Sequence, residues 1–261
     1  MRIICVLGIC ASMLLSGCGK AEKKETASPA APEASAPTAS LGEGTISGKV
    51  TFKGTPRGRR KLSMGADPVC ASLHTEAALD EKMIVGEGAD GIYPLANVFV
   101  YVKSGAGAGY AVPSEPVVVD QVGCKYVPHV VGVRVGQEIQ FKNSDKTMHN
   151  VHSLSAKTGK PFNRGMPAGS PNASYMLTKP EVMAKMKCDA HPWMSCYIGA
   201  MDHPFFAVTG TAGMFSLEGL PDGEYEVAAW HELSMLKSDV VKVTVAGGEG
   251  SASFVFIKPG S

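Results

Sequence analysis

The sequence predicts an all-β protein. Apolar and polar residues alternate with a period of two in several short segments, the mark of half-buried strands. Glycine and proline, 30 and 17 of the 261 residues, punctuate those segments at short intervals. Long amphipathic helical patterns are absent. The length allows one large domain or two small ones. A net charge of +1, with no basic tract interleaved with aromatics, gives no reason to expect nucleic acid as a partner.

The N-terminus reads as a targeting segment rather than part of the fold. Arg2 is followed by the apolar run Ile3 to Leu15 and then by Leu15-Ser16-Gly17-Cys18. A charged start, a short apolar core and a small-residue cleavage site make a secretory signal. The run falls short of the ~20 apolar residues that span a bilayer. Leu-Ser-Gly-Cys is similar to the lipobox of bacterial lipoproteins. That similarity implies a signal over residues 1–18, lipidation of Cys18 and an exported, lipid-anchored chain facing the periplasm. Lys20, rather than an Asp, follows closely, which by the sorting rule of such lipoproteins favours the outer membrane over the inner one. Residues 19–42, rich in Ala, Pro, Ser, Thr, Glu and Lys, read as a disordered tether.

Strand signals begin at Thr45. Ile46, Gly48, Val50 and Phe52 alternate with Ser47, Lys49, Thr51 and Lys53, and Gly54 and Pro56 end the run. Residues 57–91 show no period and read as a long loop with a short helix near Ser72 to Lys82. Asn97 to Lys103 is apolar on both faces, as a central strand is. A Gly-Ala run, 104–109, connects it onward. Val117 to Val119 is a short strand. Val133 to Lys142 reads as a hairpin pair, with Ile139 and Phe141 facing the core. Residues 153–173 are loop, and Ser174 to Leu177 is a strand. Val182, Ala184, Met186 and Cys188 then share one apolar face, which places Cys188 at a strand end on the buried side. Phe205–Val208, Met214–Leu217, Tyr225–His231, Val240–Val245 and Ser253–Ile257 are strand-like, and Gly219-Leu220-Pro221-Asp222-Gly223 is a turn.

The chemistry concentrates in residues 188–196, Cys188-Asp189-Ala190-His191-Pro192-Trp193-Met194-Ser195-Cys196. A thiolate, an imidazole and a thioether sit three residues apart. A thiolate and two imidazoles in a trigonal plane, with a weak axial Met, make a blue-copper electron-transfer site. The second imidazole is available upstream, in Asn143-Ser144-Asp145-Lys146-Thr147-Met148-His149-Asn150-Val151-His152. His149 and His152 point to opposite faces of a strand, so one of them reaches the metal.

This pair of stretches resembles the cupredoxins, and the amicyanins most closely. In them the first ligand lies in a Met-Pro-His-Asn-Val-His type stretch and the others in a Cys-x-x-His-Pro-x-Met loop. Here no proline separates Met148 from His149. The resemblance implies a Greek-key sandwich holding one type 1 copper ion on His149, Cys188, His191 and Met194. It also implies a supporting role for Asn150, whose amide ties the His149 strand to the Cys188 loop. The likeness further places His191 near the surface, with Pro192, Trp193 and Pro167 as a docking rim. The stretch Val208 to Tyr225 is similar to the carboxypeptidase regulatory-like (transthyretin-like) sandwich, in which a Gly-x-Phe strand leads to Leu-Pro-x-Gly-x-Tyr. Ile46–Val50 and Asn97–Val100 are similar to that family's first strands. The two resemblances together imply a cupredoxin of residues 112–202 inserted into, or fused with, a second sandwich of residues 43–111 plus 203–258.

If Cys18 carries lipid and Cys188 copper, then Cys70, Cys124 and Cys196 remain, enough for one disulfide in an exported chain. Sequence does not fix the connectivity. Cys70 with Cys124 is the preferred pair, because Cys196 sits beside the metal loop. The function implied is not enzymatic. It is single-electron transfer in the cell envelope, with a c-type cytochrome, a dehydrogenase or a terminal reductase as redox partner. The rivals are copper delivery or storage, a structural zinc site on Cys188, Cys196, His149 and His191, a metal-free binding module, and a copper enzyme with a second metal on His203 and His231. His74 and His129 are read as hydrogen-bonding residues.

Overall fold

The computed structural model describes residues 39–157 and 161–258, so the signal, Cys18 and most of the tether lie outside the described residues. The described residues contribute three strands, then nine, then five. The first three are β1 (Gly44–Lys53), β2 (Ile92–Pro94) and β3 (Phe99–Ser104). The middle set opens with β4 (Val117–Gln121), β5 (Tyr126–Val127), β6 (Val130–Arg134), β7 (Glu138–Asn143) and β8 (His149–Ser153). It closes with β9 (Asn163–Met166), β10 (Ala173–Met176), β11 (Glu181–Lys187) and β12 (Ser195–Met201). The last five are β13 (Phe206–Val208), β14 (Met214–Leu220), β15 (Gly223–Trp230), β16 (Val241–Val245) and β17 (Glu249–Ile257).

The strands sort into four sheets. β14-β1-β17, with β2 beside β1, and β13-β3-β15-β16 use only the first and last groups. They enclose one core, in which Ile46, Val50, Val100, Phe215, Val227 and Phe254 are buried. β10-β7-β4-β5 and β6-β12-β11-β8-β9 use only the middle group. Their core holds Val119, Phe141, Val151, Met186, Ile198 and Cys188. A sandwich formed by the chain's two ends thus flanks an inserted one.

Alternation then joins the two sandwiches. On β3, Val100 and Val102 face the outer core, while Phe99 and Tyr101 face away from it. On β12, Cys196, Ile198 and Ala200 face the inserted core, while Tyr197 and Met201 face away. The outward-facing residues pack together, so the sheets stack four deep. Gly132 and Gly199 pair across β6 and β12. A Cβ on Gly199 would stand 2.6 Å from the Phe99 ring and one on Gly132 2.4 Å from Phe206. Two paired glycines make the hollow that these rings enter. Buried Arg134 ties the two crossings between sandwiches, donating to the carbonyls of Tyr110, Ala111, Met201 and Asp202.

Four local expectations are corrected. Residues 153–173, read as loop, hold β9, whose four residues pair with β8. β6 and β7 do not pair as a hairpin; they lie in opposite sheets. Gly136 at φ 83 turns the chain across the sandwich, a geometry that alternation alone cannot distinguish from a hairpin. Val182 is exposed, because a bulge between Glu181 and Ala184, with Met183 at φ 70, resets the phase of β11. Ala184, Met186 and Cys188 keep the buried face. The helix in the long loop is α1 (Pro68–Ser72), earlier than Ser72 to Lys82. Asp67 caps it, accepting from the Val69 and Cys70 N–H groups, and Pro68 fills the first turn, where no N–H is needed.

The long loop is also where the two halves interlock. It leaves the outer sandwich after β1, yet Met64 and Cys70 are buried in the inserted core. Cys70 is bonded to Cys124, in the turn between β4 and β5.

Candidate metal centre

β8 and the loop after β11 build the centre. His149 opens β8 and is fully buried. Cys188 follows β11 on its inward face. The loop from Cys188 to Met194 closes on itself. The Met194 N–H donates to the His191 carbonyl at 2.9 Å, and the Cys188 N–H donates to the Met194 carbonyl at 3.2 Å. Cys188, His191 and Met194 are all buried.

The structure brings His149, Cys188 and His191 together, with one ligand atom from each within 4.8 Å of the others. The two Nδ1 atoms are 2.9 Å apart and Cys188 Sγ lies 3.8 Å from His191 Nδ1. Bonds of ~2.0–2.3 Å to one centre leave N and S donors roughly 3.3–3.8 Å apart, so the sulfur spacing suits a shared ion. The nitrogens lie closer, as two rings sharing one proton do.

Each histidine is held from behind by a carboxylate. His149 Nε2–H donates to Asp145 Oδ2 at 2.9 Å, and His191 Nε2–H donates to Asp67 Oδ2 at 3.0 Å. A proton fixed on Nε2 leaves Nδ1 free to bind metal and raises its basicity. The carboxylates are fixed in turn. Asp145 accepts from the Gly123 and Cys124 N–H groups, and Asp67 accepts from Val69, Cys70 and Thr147. The Cys70 N–H, with burial opposing and Thr147 and His191 assisting, holds Asp67 down at about 2. The bonded Cys70 and Cys124 lie between these two carboxylate-bearing segments, with Cys70 Sγ 3.8 Å from His191 Nε2.

The site favours a cation. Burial works against charge on His149, but Asp145 and the Cys188 sulfur bonded to its ring hold it up at about 9. Burial alone would raise the Cys188 thiol; His149 and the N–H groups of Asn150, His191 and Ala190 bring it below its ordinary value. A protonated His149 ring beside the Cys188 sulfur puts a positive charge where an ion would sit. Buried donors of this kind, two imidazoles and a thiolate, suit copper.

Asn150 stands where the strand meets the loop. Its Oδ1 accepts from the Asp189 N–H at 2.6 Å and from the Cys188 thiol at 3.3 Å, and its Nδ2 donates to Asn163 and Asp189. His152 lies apart, paired with Asp189 at 3.0 Å on the surface. Cys196 is a free, fully buried thiol outside the cluster, and burial pushes its pKa well up. Cys188 is free as well, so no disulfide joins the two.

The surface position expected for His191 is corrected. Its ring is 5 % exposed, because Asp67 and the α1 segment cover its outer edge. The expected rim divides too. Trp193 is half-buried against the inserted core, its indole N–H donates to the Cys124 carbonyl at 3.0 Å, and its ring centroid is 4.9 Å from that of His191. Pro192 and Trp193 line a cavity that Pro167 does not reach. His203 and His231 form no joint cluster. Every group of three or more His, Cys, Asp or Glu residues able to hold an ion among the described residues includes His149 or His191.

Asp145 and Asp67 are the functional residues that sequence reading missed. Asp145 carried a signal, four residues before His149. Asp67 carried only the Asp-Pro of a helix cap.

No family model matches the chain, and no curated protein matches it. Among solved structures it is similar to the Cu-containing nitrite reductase from Thermus scotoductus SA-01, at 25% identity over 37% of this chain and 24% of that one, with a TM-score of 0.30. A purple cupredoxin from Nitrosopumilus maritimus is 20% identical over 32% of this chain and 98% of its own, with a TM-score of 0.28. An amicyanin variant in its reduced Cu(I) form is 23% identical over 39% of this chain and 97% of its own, at 0.31. The chain thus spans about a quarter of the reductase's length and nearly all of the two small proteins. Overlaps at this TM-score leave the site to be read from the chain's own residues.

Proposed function

We propose that the chain holds one type 1 copper ion on His149, Cys188 and His191, with Met194 as the axial group, and carries single electrons in a bacterial cell envelope. The observation that carries this reading is the convergence of two Nδ1 atoms and one buried sulfur, with both Nε2 atoms fixed by carboxylates. Copper supplies a one-electron couple, both of whose oxidation states are served by sulfur and imidazole donors.

The residues around it keep that couple in place. Asp145 and Asp67 hold the rings in one tautomer and orientation. Asn150 clamps the Cys188 loop to β8. A rigid, dry pocket limits movement of the donors when the charge changes. The chain is read as a carrier, not an enzyme. Its Cys18 lipid and tether anchor it at the periplasmic face, the outer membrane favoured, and its partner is a redox protein such as a c-type cytochrome, a dehydrogenase or a terminal reductase.

A Cys2His2 zinc site is disfavoured because Cys196 stands outside the cluster. Copper delivery is disfavoured because the outer edges of both histidines are covered. The test is titration of the mature chain with Cu(II) under a visible spectrometer. An intense blue absorption at one equivalent, lost in Cys188→Ala and in His149→Ala, is the result expected. A colourless protein that retains one zinc would overturn the reading.

A further inference from the structure

We propose that electrons enter and leave through the basic cavity beside the metal loop, not over the outer edge of His191, and that the partner docking there is a redox protein with an acidic face. The proposal rests on the copper reading above. It begins from an obstruction. The outer edge of the His191 ring faces Asp67 and Cys70, and the Cys70–Cys124 bond pins that segment down. His149 is fully buried. Neither ring offers its edge to a partner.

The metal loop reaches the surface elsewhere. A cavity of about 310 Å³ is lined by Pro192, Trp193, Met194 and Ser195 on one side and by the long loop on the other. Trp193 connects the two, packed on the His191 ring within and forming cavity wall without. Met194, buried and tied by its backbone to Cys188 and His191, is also part of that wall. The cavity therefore meets two residues of the centre's own loop across a single layer of side chains.

Its charge sets the partner. Arg60, Lys61, Lys82, Lys125 and Lys185 line it, against Asp80 and Glu81 as the acids. Both acids are engaged: Arg57 binds Asp80 at 2.7 Å and Lys125 approaches Glu81 at 3.5 Å. Arg60, Lys61, Lys82 and Lys185 are exposed and take part in no ion pair among the described residues. Four exposed cations outside any ion pair thus stand together around this one opening. A concentrated positive field of this kind speeds encounter with a negative face and weakens with salt.

The test uses the copper-loaded mature chain in stopped flow, with an acidic and a basic c-type cytochrome of matched potential as probes. The variants are Lys61→Glu/Lys82→Glu and, as a control of equal charge change on the outer sandwich, Lys49→Glu/Lys242→Glu. At low ionic strength the acidic cytochrome should react about tenfold or more faster than the basic one, the preference fading as salt screens it. The cavity variant should abolish or invert that preference, and the control should change it less than twofold. Equal effects of the two variants overturn the proposal. So do equal rates with both cytochromes alongside saturable binding of hexacyanoferrate, which would make the cavity a small-anion site. A wild-type chain with no blue band overturns the copper reading, and this proposal falls with it. A blue chain indifferent to the cavity charges overturns the docking face alone.

Discussion

In the outer sandwich, His203 is buried with both ring nitrogens on backbone groups, Nε2–H to the Val102 carbonyl and Nδ1 accepting from Phe205 N–H. His231 is buried likewise, its Nδ1 accepting from Leu233 N–H, and burial presses it down to about 4. In the inserted sandwich, His149 is buried just as fully, yet it is held at about 9. The difference lies in the neighbours. A carboxylate behind the ring and a sulfur in front make a pocket that seeks a cation, whereas backbone partners make a neutral core residue. Burial of a histidine says little about function; the charge of what touches each nitrogen says much more.

Breaking the platform behind the inserted histidines should have the largest effect. The Cys70→Ala/Cys124→Ala variant should lose about 2–5 kcal/mol of stability in denaturant melts. Amide exchange in residues 61–79 should rise with it, because the covering segment is then no longer pinned. Next, Asp145→Asn and Asp67→Asn should each weaken copper binding roughly 10–100-fold in competition titrations. His203→Gln should leave copper affinity within about twofold while costing ~1–3 kcal/mol of stability, since it disturbs only backbone partners. A copper loss in His203→Gln matching that in Asp145→Asn would erase the contrast. Gly199→Ala should cost ~1–3 kcal/mol by pressing on Phe99, with the visible spectrum unchanged.

The pH response of the metal-free chain should be the gentlest, at most ~1.4 kcal/mol per pH unit for each proton. His231 titrates lower folded than unfolded, so stability should rise with pH from about 4 to the unfolded value of 6.5. His149 titrates higher folded than unfolded. Its contribution is complete below 6.5 and should be lost as pH rises through about 9. His231→Gln should flatten the lower limb only, as thermal melts across pH would check.

What the sequence made legible was local. The spacing of Cys188, His191 and Met194 is legible because one closed loop holds all three, and alternation along β1 follows from the pleat itself. The turn at Gly136 was ambiguous, since a glycine at positive φ serves a hairpin and a crossing between sheets alike. Val182 misled because a bulge shifts phase without a compositional mark. Asp67 was illegible for a different reason. It lies 124 residues before its partner His191, in a segment without period, and only the tertiary fold lays that segment over the metal loop. The covered His191 follows from that one contact, as does the shift of attention from its edge to the cavity beside Trp193.

The most direct measurement is the structure of the copper-loaded chain, with anomalous scattering recorded at the copper edge. The account predicts a single peak bonded to His149 Nδ1, His191 Nδ1 and Cys188 Sγ at ~2.0–2.3 Å, with Asp145 and Asp67 still on the two Nε2 atoms. A peak on the Nε2 side, or one that excludes Cys188, would contradict it.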